Sequence, residues 1–137
     1  MPRFSDVSVS RLSTCDLELQ VLFFEVIKHV DCIVLEGHRG EAAQEEAFKK
    51  GTSQVHWPHG KHNSIPSQAV DVAPCPIDWN NLKRFYWFAG IVMGTAEQLK
   101  AQGKMKRSIR FGGDWGRDFD ITNEKGFLDL VHFEIIL

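Results

Sequence analysis

The sequence predicts an α+β fold, with helices packed on a small, mainly antiparallel sheet. Segments with helical spacing lead the chain, and short β-rich runs accumulate toward its end. A regular strand-helix-strand alternation, the mark of a parallel sheet, is missing. The 137 residues, 43% hydrophobic and 25% charged, suit one domain over 1–137 with a core of its own.

The elements follow in order. Residues 13–30 read as an amphipathic helix: Leu17, Val21, Phe24 and Lys28 recur at helical spacing, Ser13 or Thr14 caps it, and Asp16 suits the first turn. The run 32-CIVLE-36 is a strand ended by Gly37, and a second helix runs from Glu41 to Lys50, where Gly51 stops it. Residues 51–67 break every periodicity, and an irregular stretch of that length inside a compact domain points to function. The run 68-QAVDVA-73 is a strand closed by Pro74 and Pro76. A long helix spans about 78–101, capped by Asp78 or Asn80, with core aromatics in 85-FYWFAG-90. Two strands remain: 108-SIRFGGDW-115, containing a Gly-Gly turn, and 131-VHFEII-136.

Composition excludes several classes. A formal net charge of −2 exerts no broad pull on nucleic acid, and the basic run Lys104, Lys106, Arg107 and Arg110 reads as a solvated loop. Cys15, Cys32 and Cys75 are odd in number and scattered, against both a disulfide framework and a thiolate metal knuckle; Cys15 and Cys32 are expected to pack, in a protein made in a reducing compartment. The first thirteen residues do not read as a secretory leader, and acidic and amide residues interrupt the apolar segment near 17–27, so no stable membrane association is expected. A serine nucleophile lacks its GxSxG elbow, and no Cys/His pair stands in for one.

The chemistry rests on histidine. Of six, His29 suits a helix C-terminus and His38 sits in a turn, while His56, His59 and His62 form HxxHxxH in the long loop. A flexible loop holds ligands loosely, so a better set takes His62 from the loop's end, Asp71 from the next strand and His132 from the last. Two imidazoles and a carboxylate leave a zinc ion positively charged with a position open for water, whose pKa falls to about 7. A separate carboxylate must then move protons. Asp129, in the turn before the last strand, and Glu134, on the face of His132, both qualify on spacing.

The segments 37-GHR-39, 61-KHNSIPSQAVDVAP-74, 112-GGDW-115 and 129-DLVHFE-134 resemble, in order, the zinc peptidases of the D-Ala-D-Ala carboxypeptidase family, which include the phage endolysins that cleave the L-alanyl-D-glutamate bond. The resemblance runs from about Leu35 to Ile136. It implies a fold of the hedgehog/D-Ala-D-Ala-peptidase type, with His62, Asp71 and His132 as zinc ligands. It also implies Asp129 as catalytic acid/base, Arg39 as the arginine that binds substrate or its charged intermediate, and Glu134 in support of a ligand. Gln44, Ser53, Asp114 and Trp115 are candidate pocket residues. The chain departs from the family's SxHxxGxAxD pattern: Gly60 replaces the serine, and two extra residues lie between His62 and Asp71, which makes His59 the alternative ligand under another loop register.

The function implied is zinc-dependent hydrolysis of a stem-peptide amide of peptidoglycan, L-Ala-D-Glu foremost, by a monomeric phage lysin that accumulates in the host cytoplasm and reaches the periplasm through a holin. The alternatives are a D-Ala-D-Ala carboxypeptidase and a non-catalytic zinc-stabilised binding module.

Overall fold

A computed structural model describes residues 2–136. Its sheet has four strands, β1 (Cys32–Glu36), β2 (Ala69–Pro74), β3 (Ser108–Gly112) and β4 (Asp129–Ile136), in the order β1-β2-β4-β3 with every pairing antiparallel. The helices are α1 (Asp6–Leu12), α2 (Leu17–Val26), α3 (Glu41–Lys50) and α4 (Leu82–Ala101), and a 3-10 turn covers Lys61–Asn63. The α+β prediction holds, and α3 has the predicted bounds: Gly51 closes it in the left-handed region at φ 81°.

The helix expected over 13–30 is shorter: α2 occupies Leu17–Val26, and residues 13–16 form a break that separates it from α1. Ser5 caps α1 by accepting from the Ser8 amide, and Asp16 caps α2 by accepting from that of Glu18, so neither Ser13 nor Thr14 is the cap. Between them residues 13–16 leave the helical path, because the Asp16 amide donates to Ser67 O and the Ser67 amide to Thr14 O. The apolar stripe shifts accordingly. Leu19, Leu22, Phe23 and Val26 are fully buried, whereas Leu17 and Phe24 face solvent. Helix α4 starts at Leu82, later than expected, because Asn81 is its cap while the Asp78 carboxylate accepts from the Asn80 amide. Strand β3 ends at Gly112, not 115, where the Asp114 amide turns back to Phe111 O.

Period-two alternation sorts the two faces of the sheet. Val70, Val72, Ile109, Phe111, Phe133 and Ile135 join α2 and α4 in the core. Phe133 is central to it, with Phe23, Phe88 and Phe111 at ring centroid distances of 5.6, 6.3 and 5.4 Å. Of the aromatics in 85–88, Phe85 and Phe88 are buried but Trp87 is exposed. Arg110, Asp71, His132 and Glu134 alternate with the core residues and meet on the opposite face.

The β3–β4 register is irregular at its end: Phe111 faces Phe133, but the next residue, Gly112, faces Asp129. Only glycine permits this approach, since a Cβ at Gly112 would stand 2.1 Å from Asp129 O. The step draws Asp129 into the start of β4 rather than the preceding turn.

Arg107 ties the entry to β3 onto the start of α2, through Asp16 Oδ1 at 2.7 Å and Glu18 Oε1 at 3.1 Å; the basic run is therefore not merely a solvated loop. Burial alone would raise both carboxyls, yet the bonds to Arg107 and to backbone amides bring them below their ordinary range. Groups lowered by folding stabilise above their unfolded pKa and lose that contribution as pH falls through the folded value. Arg107→Ala is expected to cost about 1 kcal/mol at pH 7. Urea titrations should show the gap from wild type narrowing below about pH 4.

Candidate metal centre

Antiparallel pairing sets Asp71 of β2 directly opposite His132 of β4, on the face away from the core. His62 arrives from the 3-10 turn, which is tied down on both sides: the Arg39 amide donates to His62 O at 2.8 Å and the Gln68 amide to Lys61 O at 3.0 Å. The three side chains converge. Asp71 Oδ1 lies 3.1 Å from His62 Nε2 and 3.3 Å from His132 Nδ1, and one ligand atom from each residue falls within 4.8 Å of the others.

The outer ring nitrogens are occupied. His62 Nδ1 is 2.7 Å from Gly37 O, and His132 Nε2 is 2.8 Å from Glu134 Oε1. Glu134 Oε2 in turn accepts from Arg110 Nη2 at 2.8 Å. A carbonyl or carboxylate behind each imidazole fixes the ring and leaves its inner nitrogen to face the centre, as supported metal ligands require. This donor set fits a metal with two nitrogens and one oxygen, the pattern of catalytic zinc sites.

Electrostatics at the centre are strong. Burial would raise Asp71, but the imidazoles of His62 and His132 outweigh it and hold the carboxyl well below the usual carboxylate range. Burial likewise opposes a charged His132, yet hydrogen bonds to Asp71 and Glu134 push its pKa up to about 9. Asp129 moves the other way: burial first, and the negative charge of Asp71 second, push it up to about 6. Its Oδ2 lies 4.0 Å from His132 Nδ1.

The centre lies in a cleft of about 1080 Å³, open to solvent. Arg39, Ser53, Trp115, Asp129 and Glu134 all line it. Arg39 Nη2 is 3.7 Å from Asp71 Oδ2, while its guanidinium is clamped by Glu36 and donates to Gln44 Oε1 at 3.0 Å. Gln44 is fully buried behind Arg39 and donates to Ser53 Oγ and Val55 O, so it touches Arg39 rather than the cleft. Trp115 packs against His132 at 5.6 Å, and Arg110 lies over its ring. Asp114 faces elsewhere: it lines a separate cavity beside Tyr86 and clusters with Asp118 and Glu124. The HxxHxxH residues do not act as a unit. His56 pairs with Glu45 and stacks on Phe48, and His59 lines the cleft outside the three-ligand cluster.

Several groups at the site escape a reading by residue type. The Gly37 carbonyl carries no side-chain signal at all. Asn63 donates to both Arg39 O and Gln44 Oε1, holding the arginine in place. Arg110 was detectable from pattern: it alternates with Ile109 and Phe111, which puts a cation on the polar face of a strand opposite Glu134.

The sequence profile of a family described as phage L-alanyl-D-glutamate peptidase matches residues 1–136. A search of curated protein sequences finds no match. Among solved structures, the fold is similar to that of the Serratia marcescens L-Ala D-Glu endopeptidase ChiX, with a TM-score of 0.72 and 23% identity, over 98% of this chain and 90% of that one.

Replacing an outer-sphere partner should loosen metal without removing a ligand. Glu134→Gln is expected to weaken divalent-metal binding by roughly 10- to 100-fold. His62→Ala should abolish tight binding, and Asp129→Asn should leave it near wild type. Isothermal titration of the three variants checks the order.

Proposed function

The chain belongs to the phage L-alanyl-D-glutamate peptidase family, and from that premise we propose that it is a zinc-dependent endolysin cleaving the amide between L-alanine and D-glutamate in the stem peptide of peptidoglycan. The observation that carries this reading is the placement of Asp129, whose carboxylate lines the cleft of the His62–Asp71–His132 group and stands 4.0 Å from His132 Nδ1. A carboxylate beside the centre but outside the three-residue cluster can both accept and return a proton.

His62, Asp71 and His132 would hold the zinc ion, which when bound supplies a Lewis acid and lowers the pKa of water. Asp129 takes a proton from the water that attacks the L-alanyl carbonyl carbon. Arg39 faces the negative charge that develops on the carbonyl oxygen; Glu36, Gln44 and Asn63 hold the backbone and guanidinium of this arginine before substrate arrives. Asp129 then gives its proton to the glutamate nitrogen as the C–N bond breaks. Glu134 is paired with both His132 and Arg110, so it orients a ligand and is not free to serve as the base.

We read 1–137 as one peptidase unit, acting as a monomer. No helix among the described residues is long and apolar enough to cross a membrane. We propose that a holin carries the protein from the host cytoplasm to the periplasm.

Mass spectrometry of defined muropeptides digested by the zinc-loaded protein tests the assignment. New ends between L-Ala and D-Glu are expected, and Asp129→Asn should lower the rate by about 10²–10⁴-fold while retaining zinc. Release of terminal D-alanine alone would move the chain to carboxypeptidase chemistry. Intact muropeptides with one zinc bound would leave a binding module.

A further inference from the structure

A second groove, of about 710 Å³, meets the catalytic cleft at Asp129, which lines both. It opens where β4 leaves its neighbour: β2 pairs with β4 only over Ala69–Asp71, so residues 128–131 run free of β2 toward the start of α4. The walls include Trp79, Leu82, Tyr86, Leu128 and Val131, and among the described residues Asp129 is the only charged one that lines it. Trp79 is 58% exposed and Leu82 55%, yet the indole is not loose. It stacks on buried Phe85 at 5.4 Å and 14° while more than half of its surface stays exposed.

The two spaces differ in charge. The catalytic cleft carries the cations Arg39, Lys61 and Arg110, while the groove beyond Asp129 carries none. The proposed substrate is divided the same way about its scissile amide. On the glutamate side it bears free carboxylates. On the alanine side it bears a methyl group, then a lactyl ether joined to an N-acetylated amino sugar, with the lactyl carboxyl already consumed in an amide. Anionic residues belong with the cations. The uncharged sugar, with its apolar C–H face, belongs against an oriented aromatic ring.

We propose that the groove walled by Trp79 and Leu82 is a subsite for the amino sugar that carries the stem peptide, making the enzyme selective for glycan-linked over free peptide. This rests on the peptidase reading above. An exposed apolar surface continuous with a catalytic cleft is thereby given an occupant of stated chemistry.

Two measurements test it. The first compares kcat/KM of the zinc-loaded protein on a disaccharide-tetrapeptide and on the same tetrapeptide without sugar. Wild type should favour the sugar-bearing substrate by about tenfold. Trp79→Ala should erase that preference and leave free-peptide turnover unchanged, and Trp79→Phe should keep most of it. Equal losses on both substrates, or no change on either, would overturn the subsite while the peptidase reading stands. Failure of wild type to cleave either substrate would sink both. The second is an NMR titration with N-acetylmuramyl-L-alanine, which needs no turnover. The indole resonance missing from Trp79→Phe should shift on titration, and its indifference would overturn the subsite.

Discussion

One carboxylate, that of Asp71, is shared by two imidazoles that reach it from different parts of the chain. It lies on β2, between β1 and β4, and its backbone position opposite His132 is set by the sheet register. A slip of one residue in that register would turn Asp71 toward the core and a valine toward the site. The hydrophobic alternation that buries Val70, Val72, Phe133 and Ile135 is therefore also what brings Asp71 and His132 together. Packing and chemistry share one constraint.

Around that carboxylate the charges come in layers. His62 and His132 face it directly, Gly37 O and Glu134 stand behind them, and Arg110 stands behind Glu134. Arg39 closes the other side, held by Glu36 and Gln44. Buried polar groups are costly when unpaired, and nearly all of these have partners. Asp129 is the exception in kind: burial and the charge of Asp71 outweigh the pull of His132 and His62 and keep its affinity for a proton high. That difference distinguishes Asp129 from Asp71 within one cluster of side chains.

The sequence exposed much of this, and its failures have physical causes. His62, Asp71 and His132 were legible because metal-capable side chains on a turn and two strands leave a pattern of residue type and spacing, which the ordered motifs from 37 to 134 reinforced. Asp129 was expected in a turn; it lies in the strand because Gly112 admits a register step that no local spacing encodes. The break between α1 and α2 was hidden for a related reason: Thr14 and Asp16 find their backbone partners at Ser67, far along the chain. Asp114 and Trp115 were both candidate pocket residues, yet the turn after β3 sends the two to different cavities. Arg110 was set aside with its basic neighbours, although strand alternation places it on the polar face beside Glu134.

The most direct test of this account is a crystal structure of the zinc-soaked protein with anomalous data at the zinc edge. The account predicts one strong peak bonded to His62 Nε2, Asp71 and His132 Nδ1, with Glu134 still bonded to His132 Nε2. A peak at His59, at the Asp114–Asp118–Glu124 cluster, or on His132 through Nε2 would contradict it.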